Sequence, residues 1–175
     1  GFEGKLLSYI FQDPRLLLWK TVRANIEFVM DRGMTPDEKK KESDRLLRLV
    51  ELDTFADYYP SKLSGGMRQR VSIARAFASH SDIILMDEPL KGLDFALKQN
   101  MMKSFSRIWK TDQRTVIFVT HDVDEAIMLG AEIFVMSRPP VNILAHESIN
   151  ETPESRQPES DQFKNLKQKL IKALG

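Results

Sequence analysis

The stretch Leu63-Ser64-Gly65-Gly66-Met67-Arg68-Gln69-Arg70, running without a break into Val71 to Ser79, leaves its chain few options. Ser64 is a strong N-cap residue, the paired glycines let the backbone come close to a ligand, and the residues behind them have helical composition. The pattern therefore predicts a helix N-terminus built to receive an anion, with free N–H groups and a positive dipole end facing phosphate. Taken alone, the same residues also describe an ordinary capped helix after a glycine turn. The downstream text narrows the choice. Asp82-Ile83-Ile84-Leu85-Met86-Asp87-Glu88-Pro89 reads as an apolar strand ending in two carboxylates, Leu93-Asp94 follows, and after a helix a further apolar strand, Thr115 to Thr120, delivers His121.

Composition bounds the answer. A chain of 175 residues with 42% hydrophobic content can bury one sizeable core, which predicts a single globular domain. Lysine plus arginine number 26 against 25 acidic residues, a net charge of +1, so there is no basic field of the kind that steers nucleic acid. The run Lys39-Lys40-Lys41 is flanked by Asp37, Glu38 and Glu42 and reads as a solvated helix face. Without cysteine there is no disulfide framework and no thiol chemistry. His80, His121 and His146 lie too far apart in sequence to suggest a metal site. No run approaches the ~18 apolar residues of a membrane span, so membrane contact is expected to go through a partner. The sequence opens on Gly1 rather than Met, which reads as part of a longer or processed product.

In chain order, Lys5 to Phe11 predicts a buried strand running straight into Gln12. From Thr21 to His80 the pattern is helical. Thr35-Pro36-Asp37-Glu38 is a capping box with proline at the first helical position, and Leu46, Leu47, Leu49 and Val50 supply an apolar stripe. Leu16 to Trp19 fits either core packing or a partner-binding surface. Leu97, Met101, Phe105 and Ile108 give Phe95 to Lys110 the pattern of a helix laid on a sheet. Ala126 to Leu129 lies in another helix, and Glu132 to Met136 and Asn142 to His146 read as strands around a Pro139-Pro140 turn. The predicted organisation is a domain over 1–150, a polar linker over 151–162 and an amphipathic helix over 163–175. That helix, with Phe163, Leu166, Leu170 and Ile171 on one face, suits docking on the core or, less simply, a membrane surface.

The motifs, in this order, resemble those of ATP-binding-cassette ATPases. The octet at Leu63 resembles their signature motif, Ile83 to Glu88 their Walker B strand with its glutamate, Leu93-Asp94 their D-loop and His121 their switch histidine. Phe11-Gln12-Asp13-Pro14-Arg15-Leu16-Leu17-Leu18-Trp19 looks like the Q-loop, with a flavour similar to the nitrate, sulfonate and taurine importer branch. The resemblance implies an α/β fold: a partial P-loop NTPase core with a mostly parallel sheet and an inserted helical subdomain over about 20–80. It also implies ATP and Mg²⁺ as cofactors. Ser64, Gly65, Gly66, Gln69 and Asp94 would contact nucleotide, Asp87 and Gln12 would serve Mg²⁺, and Glu88, His121 and Gln12 would be catalytic. The implied partners are a second ATPase subunit, transmembrane permease subunits and, indirectly, a solute-binding protein, with the chain on the inner face of the cell membrane.

One motif of that family is missing from these residues. A P-loop needs glycine, four residues, then Gly-Lys-Ser/Thr, so that backbone N–H groups cradle phosphates while the hydroxyl serves magnesium. Gly4-Lys5 is followed by Leu6 and has no glycine at the required upstream position. The chain is thus expected to be the C-terminal two-thirds of a cassette and inactive alone. The alternative is a truncated, non-catalytic or regulatory subunit that offers its signature to a partner. DNA-repair and chromosome cassettes carry a long coiled coil between Q-loop and signature, whereas only about fifty residues separate Gln12 from Leu63 here.

Overall fold

The computed structural model describes residues 6–174. Gly4 and Lys5, the pair that fails as a P-loop, lie outside the described residues, as does the Lys5 start of the first predicted strand. The chain divides into two compact units that meet in sequence at Val119 and Thr120.

The first unit opens with strand β1 (Leu7–Ile10) and then turns helical: α1 (Val22–Glu27), α2 (Pro36–Leu49), two single 3₁₀ turns, and α3 (Gly65–Ala78). Strand β2 (Ile83–Asp87), helix α4 (Phe95–Thr111) and strand β3 (Thr115–Val119) complete it. The three strands lie parallel in the order β1-β2-β3, with Leu7 beside Ile83 and Ile83 beside Thr115. A parallel sheet with helical connections is the expected α/β solution for apolar strands alternating with helical patterns.

Local chemistry explains where the helices begin. Thr35 accepts the Glu38 N–H while the Glu38 carboxylate accepts the Thr35 N–H at 2.7 Å, the reciprocal cap predicted for α2. The Thr35 N–H, and after it the Thr35 hydroxyl, donate to the Glu38 carboxylate and hold it below the usual carboxylate range. Thr21, Ser64 and Asp94 cap α1, α3 and α4 in the same way, each through its side-chain oxygen. At the far end of α3, the Arg114 guanidinium gathers the carbonyls of Phe77, Ser79 and Ser81, groups that no helical bond satisfies.

Strand alternation gives the sheet two unlike faces. Ile10, Ile84 and Met86 are buried, and β1 lies against α3. The other face carries Leu7, Tyr9, Ile117 and Val119, all exposed. Beyond the strands, Phe77 and Phe105 meet edge to face at 5.9 Å and fasten α3 to α4.

The second unit contains α5 (Val123–Leu129), the antiparallel hairpin β4 (Glu132–Met136) and β5 (Ile143–Ser148), and α6 (Asp161–Leu174). Its own core gathers Ile127, Ile133, Val135, Ile149, Phe163 and Leu170. The terminal helix thus docks, through Phe163 and Leu170, on protein. The division at 119–120 differs from the predicted domain over 1–150, because the hairpin closes its core with α5 and α6. The segment over 151–162 also differs from a free linker: it holds a 3₁₀ turn, Pro153–Ser155, and the buried Arg156. Among the described residues no helix is long and apolar enough to cross a membrane.

Candidate nucleotide site

Two adjacent parallel strands end side by side, with Ile10 next to Met86, and each runs into a polar residue. Beyond β1 stands Gln12, exposed at a bend, and at the end of β2 stand Asp87, exposed, and Glu88, partly buried. Ligands of open parallel sheets bind at such carboxyl-terminal strand ends. The structure therefore brings Gln12, Asp87 and Glu88 to one edge of the first unit.

Neighbours that the motif text did not reveal set their geometry. The Tyr9 hydroxyl donates to Asp87 Oδ2 at 3.0 Å across the β1–β2 pair. That hydrogen bond, followed by desolvation and the carboxylate charge, pushes the Tyr9 phenol above its ordinary range. Glu88 takes a left-handed backbone with φ of 43°, uncommon for a residue with a side chain. Its N–H donates to the Val119 carbonyl at 2.9 Å, and its own carbonyl accepts the Lys91 N–H at 3.1 Å. The Lys91 ammonium also pairs with the Glu88 carboxylate. Strand alternation alone was the expected reason for Asp87 and Glu88 to point apart; the backbone turn at Glu88 now separates them as well.

At the start of α3, Ser64 is exposed and its hydroxyl accepts the Met67 N–H at 3.2 Å. The glycine pair behind it splits into two roles. Gly65 is exposed, and a Cβ built there meets nothing within 4 Å, so its backbone is open to approach. Gly66 is buried, and a Cβ there would stand 2.8 Å from Leu97 Cδ2 and 3.0 Å from Leu97 Cγ. Its missing side chain makes room for Leu97 of α4. Gly66→Ala is expected to lower stability by about 1–3 kcal/mol through overpacking, and Gly65→Ala to leave it unchanged or slightly raised. Denaturant midpoints of the two variants check this; equal losses would contradict the split.

Asp94 sits at the N-cap of α4, its carboxylate accepting the Leu97 N–H at 2.9 Å. Gln69 is buried inside the first unit, where nucleotide contact had been predicted; its amide nitrogen donates to the carbonyls of Phe11 and Pro89. His121 belongs to the second unit, where it is exposed just ahead of α5. Its neighbour Thr120 donates to Glu125 at 2.6 Å and accepts the Asp122 N–H at 3.0 Å, which fixes the turn that carries the imidazole.

Among the described residues no group of three or more histidine, cysteine or acidic side chains is placed to hold a metal ion. Mg²⁺ of the kind shared with phosphates takes one or two carboxylates and completes its shell with phosphate oxygens and water. Asp87 ends β2, and Gln12 lies just past the end of the neighbouring β1.

The family described as ABC transporter matches residues 2–91, just over half of the chain. A Brucella abortus protein is 46% identical over 138 residues, covering 78% of this chain and 53% of its own. The taurine import ATP-binding protein of Rhizobium johnstonii is 39% identical over 169 residues, covering 92% of this chain and 64% of its own length. The nitrate import ATP-binding protein of a Synechocystis strain is 39% identical over 153 residues, covering 84% of this chain and 58% of its own. The chain thus spans about half to two-thirds of the length of these relatives. Among solved structures, a dimeric ATP-binding cassette in a post-hydrolysis state with ADP and Pi matches with a TM-score of 0.65 and 30% identity, over 84% of this chain and 64% of that one. Motifs, fold and relatives converge, and the chain belongs to the ABC transporter family.

Proposed function

We propose that this chain is part of the ATP-binding and ATP-hydrolysing subunit of an importer for nitrate, sulfonate or taurine-like solutes. The observation that carries the reading is the shared strand edge of Gln12, Asp87 and Glu88, with Glu88 turned out of the strand by its left-handed backbone. Phosphoryl transfer to water needs positioning and charge stabilisation more than covalent work. Asp87 and Gln12 would hold Mg²⁺, which would supply positive charge to neutralise the phosphates. Glu88 is the general base, orienting a water and taking its proton. His121 donates to the γ-phosphate, and Asp94 lies at the subunit boundary. Ser64 and Gly65 face the ATP of a second subunit from the open end of α3.

The same reading assigns partners. Leu18 and Trp19 are 65% and 74% exposed, and Phe28 is exposed nearby in sequence. Apolar side chains so presented suit a partner surface rather than core packing, and transmembrane permease subunits are the proposed occupant. A solute-binding protein would act through them, with the chain on the inner face of the membrane.

These 175 residues alone are expected to show neither tight Mg-ATP binding nor hydrolysis, since they contain no P-loop sequence. Joining the N-terminal, P-loop-bearing segment of one of the relatives ahead of Gly1 should produce Mg²⁺-dependent phosphate release. Micromolar ATP affinity of the isolated chain by calorimetry, or a well-folded fusion without ATPase activity, would count against the assignment.

A further inference from the structure

Gln69 is 3% exposed, and its amide nitrogen donates to two carbonyls at once: Pro89 at 3.0 Å and Phe11 at 3.3 Å. Phe11 immediately precedes Gln12, and Pro89 immediately follows Glu88. Because both neighbours are acceptors, the amide can face them only with its nitrogen, which sends Oε1 the other way. That oxygen is buried and has no hydrogen-bond partner. An apolar side chain of similar volume would fill the space without this penalty. What an amide adds there is the bridge between two segments of backbone.

We propose that Gln69 is a positioning residue: a tether by which α3 sets the placement of Gln12 and Glu88 together. The helix that begins at Ser64 is thereby connected, through one side chain, to both segments at the strand edge. Arg75, two turns further along α3, donates to the Pro14 and Arg15 carbonyls at 2.9 Å each and so anchors only the segment after β1. Among the described side chains of α3, Gln69 is the one that bonds to both segments. The inference rests on the assignment of Gln12 and Glu88 to the nucleotide site, and its test reads the tether without turnover, so the two can fail separately.

Hydrogen exchange with mass spectrometry on the intact chain compares the parent with Gln69→Met, which keeps the volume and removes the donor. Peptides covering 11–15 and 88–93 should lose protection together, by about tenfold, while peptides of α2 and α6 keep theirs. Gln69→Glu should loosen the same two segments at neutral pH, since a carboxylate offers only acceptors to the two carbonyls. Acidification that protonates the new carboxyl should restore part of the protection, after correction for the intrinsic exchange rate, because the acid regains an O–H donor. Loosening of one segment only, a uniform rise across the chain, failure of Gln69→Met to fold, or a Gln69→Glu response without pH dependence would each overturn the tether and leave Gln69 an ordinary core residue.

Discussion

Replacing Glu88 by glutamine in the P-loop-bearing fusion is expected to lower phosphate release by about 10²- to 10⁴-fold while the ATP-dependent dimer still assembles. Glutamine keeps the shape and the backbone bonds to Val119 and Lys91 and removes only the basic oxygen. Ser64→Arg should fail differently. Ser64 stands exposed at the open end of α3, so a long side chain there obstructs the approach of a second subunit and prevents dimerisation itself. Size-exclusion chromatography with ATP and Mg²⁺, run beside a phosphate assay, separates the two defects. Normal turnover by Glu88→Gln, or normal dimerisation and turnover by Ser64→Arg, would show that the base or the docking end has been assigned to the wrong residue.

The second large effect lies in the second unit. Arg156 is buried, and its guanidinium donates to the carbonyls of Ile127 at 2.7 Å, Gly130 at 2.9 Å and Glu151 at 2.8 Å. Ile127 and Gly130 are at the end of α5, where helical bonding runs out. Arg156→Met keeps the stem but strands these acceptors, and the expected loss is about 2–4 kcal/mol for the second unit. Arg156→Lys should recover only part of it, because a point ammonium cannot reproduce the planar fork. Urea titration, with hydrogen exchange localised to α5 and α6, makes the measurement. Parent-like midpoints for Arg156→Met would mean that water replaces the guanidinium without loss.

What could be read from residues alone was whatever depends on near neighbours. The capping box at Thr35 and Glu38 is a four-residue pattern, and it forms as written. The apolar run before Asp87 reads as a strand by its length and its β-branched residues, and the stripe of Leu97, Met101, Phe105 and Ile108 reads as one helix face by its spacing; both form. The packing of Gly66 is not legible in the octet, because it is set by Leu97, thirty-one positions later, and nothing within the octet distinguishes it from Gly65. Arg156 was hidden for a related reason. A polar stretch with two prolines has the composition of a linker, and only the folded end of α5 supplies carbonyls that make an arginine there a buried brace. The unit boundary after Val119 likewise depends on which strands the terminal helix covers, a matter of packing rather than of local pattern.

The left-handed turn at Glu88 sets stability and chemistry at odds. A side chain in that conformation costs about 1 kcal/mol or more relative to glycine, which adopts it freely. Glycine would relieve the strain, but it carries no carboxylate. If the proposed chemistry operates here, the residue that best fits the backbone is one that cannot activate water, and the residue that can do so must be held in place by its surroundings. The bond from the Glu88 N–H to Val119 and the turn closed by Lys91 supply that restraint. The Lys91 ammonium, paired with the Glu88 carboxylate, adds a side-chain restraint that glycine would lack.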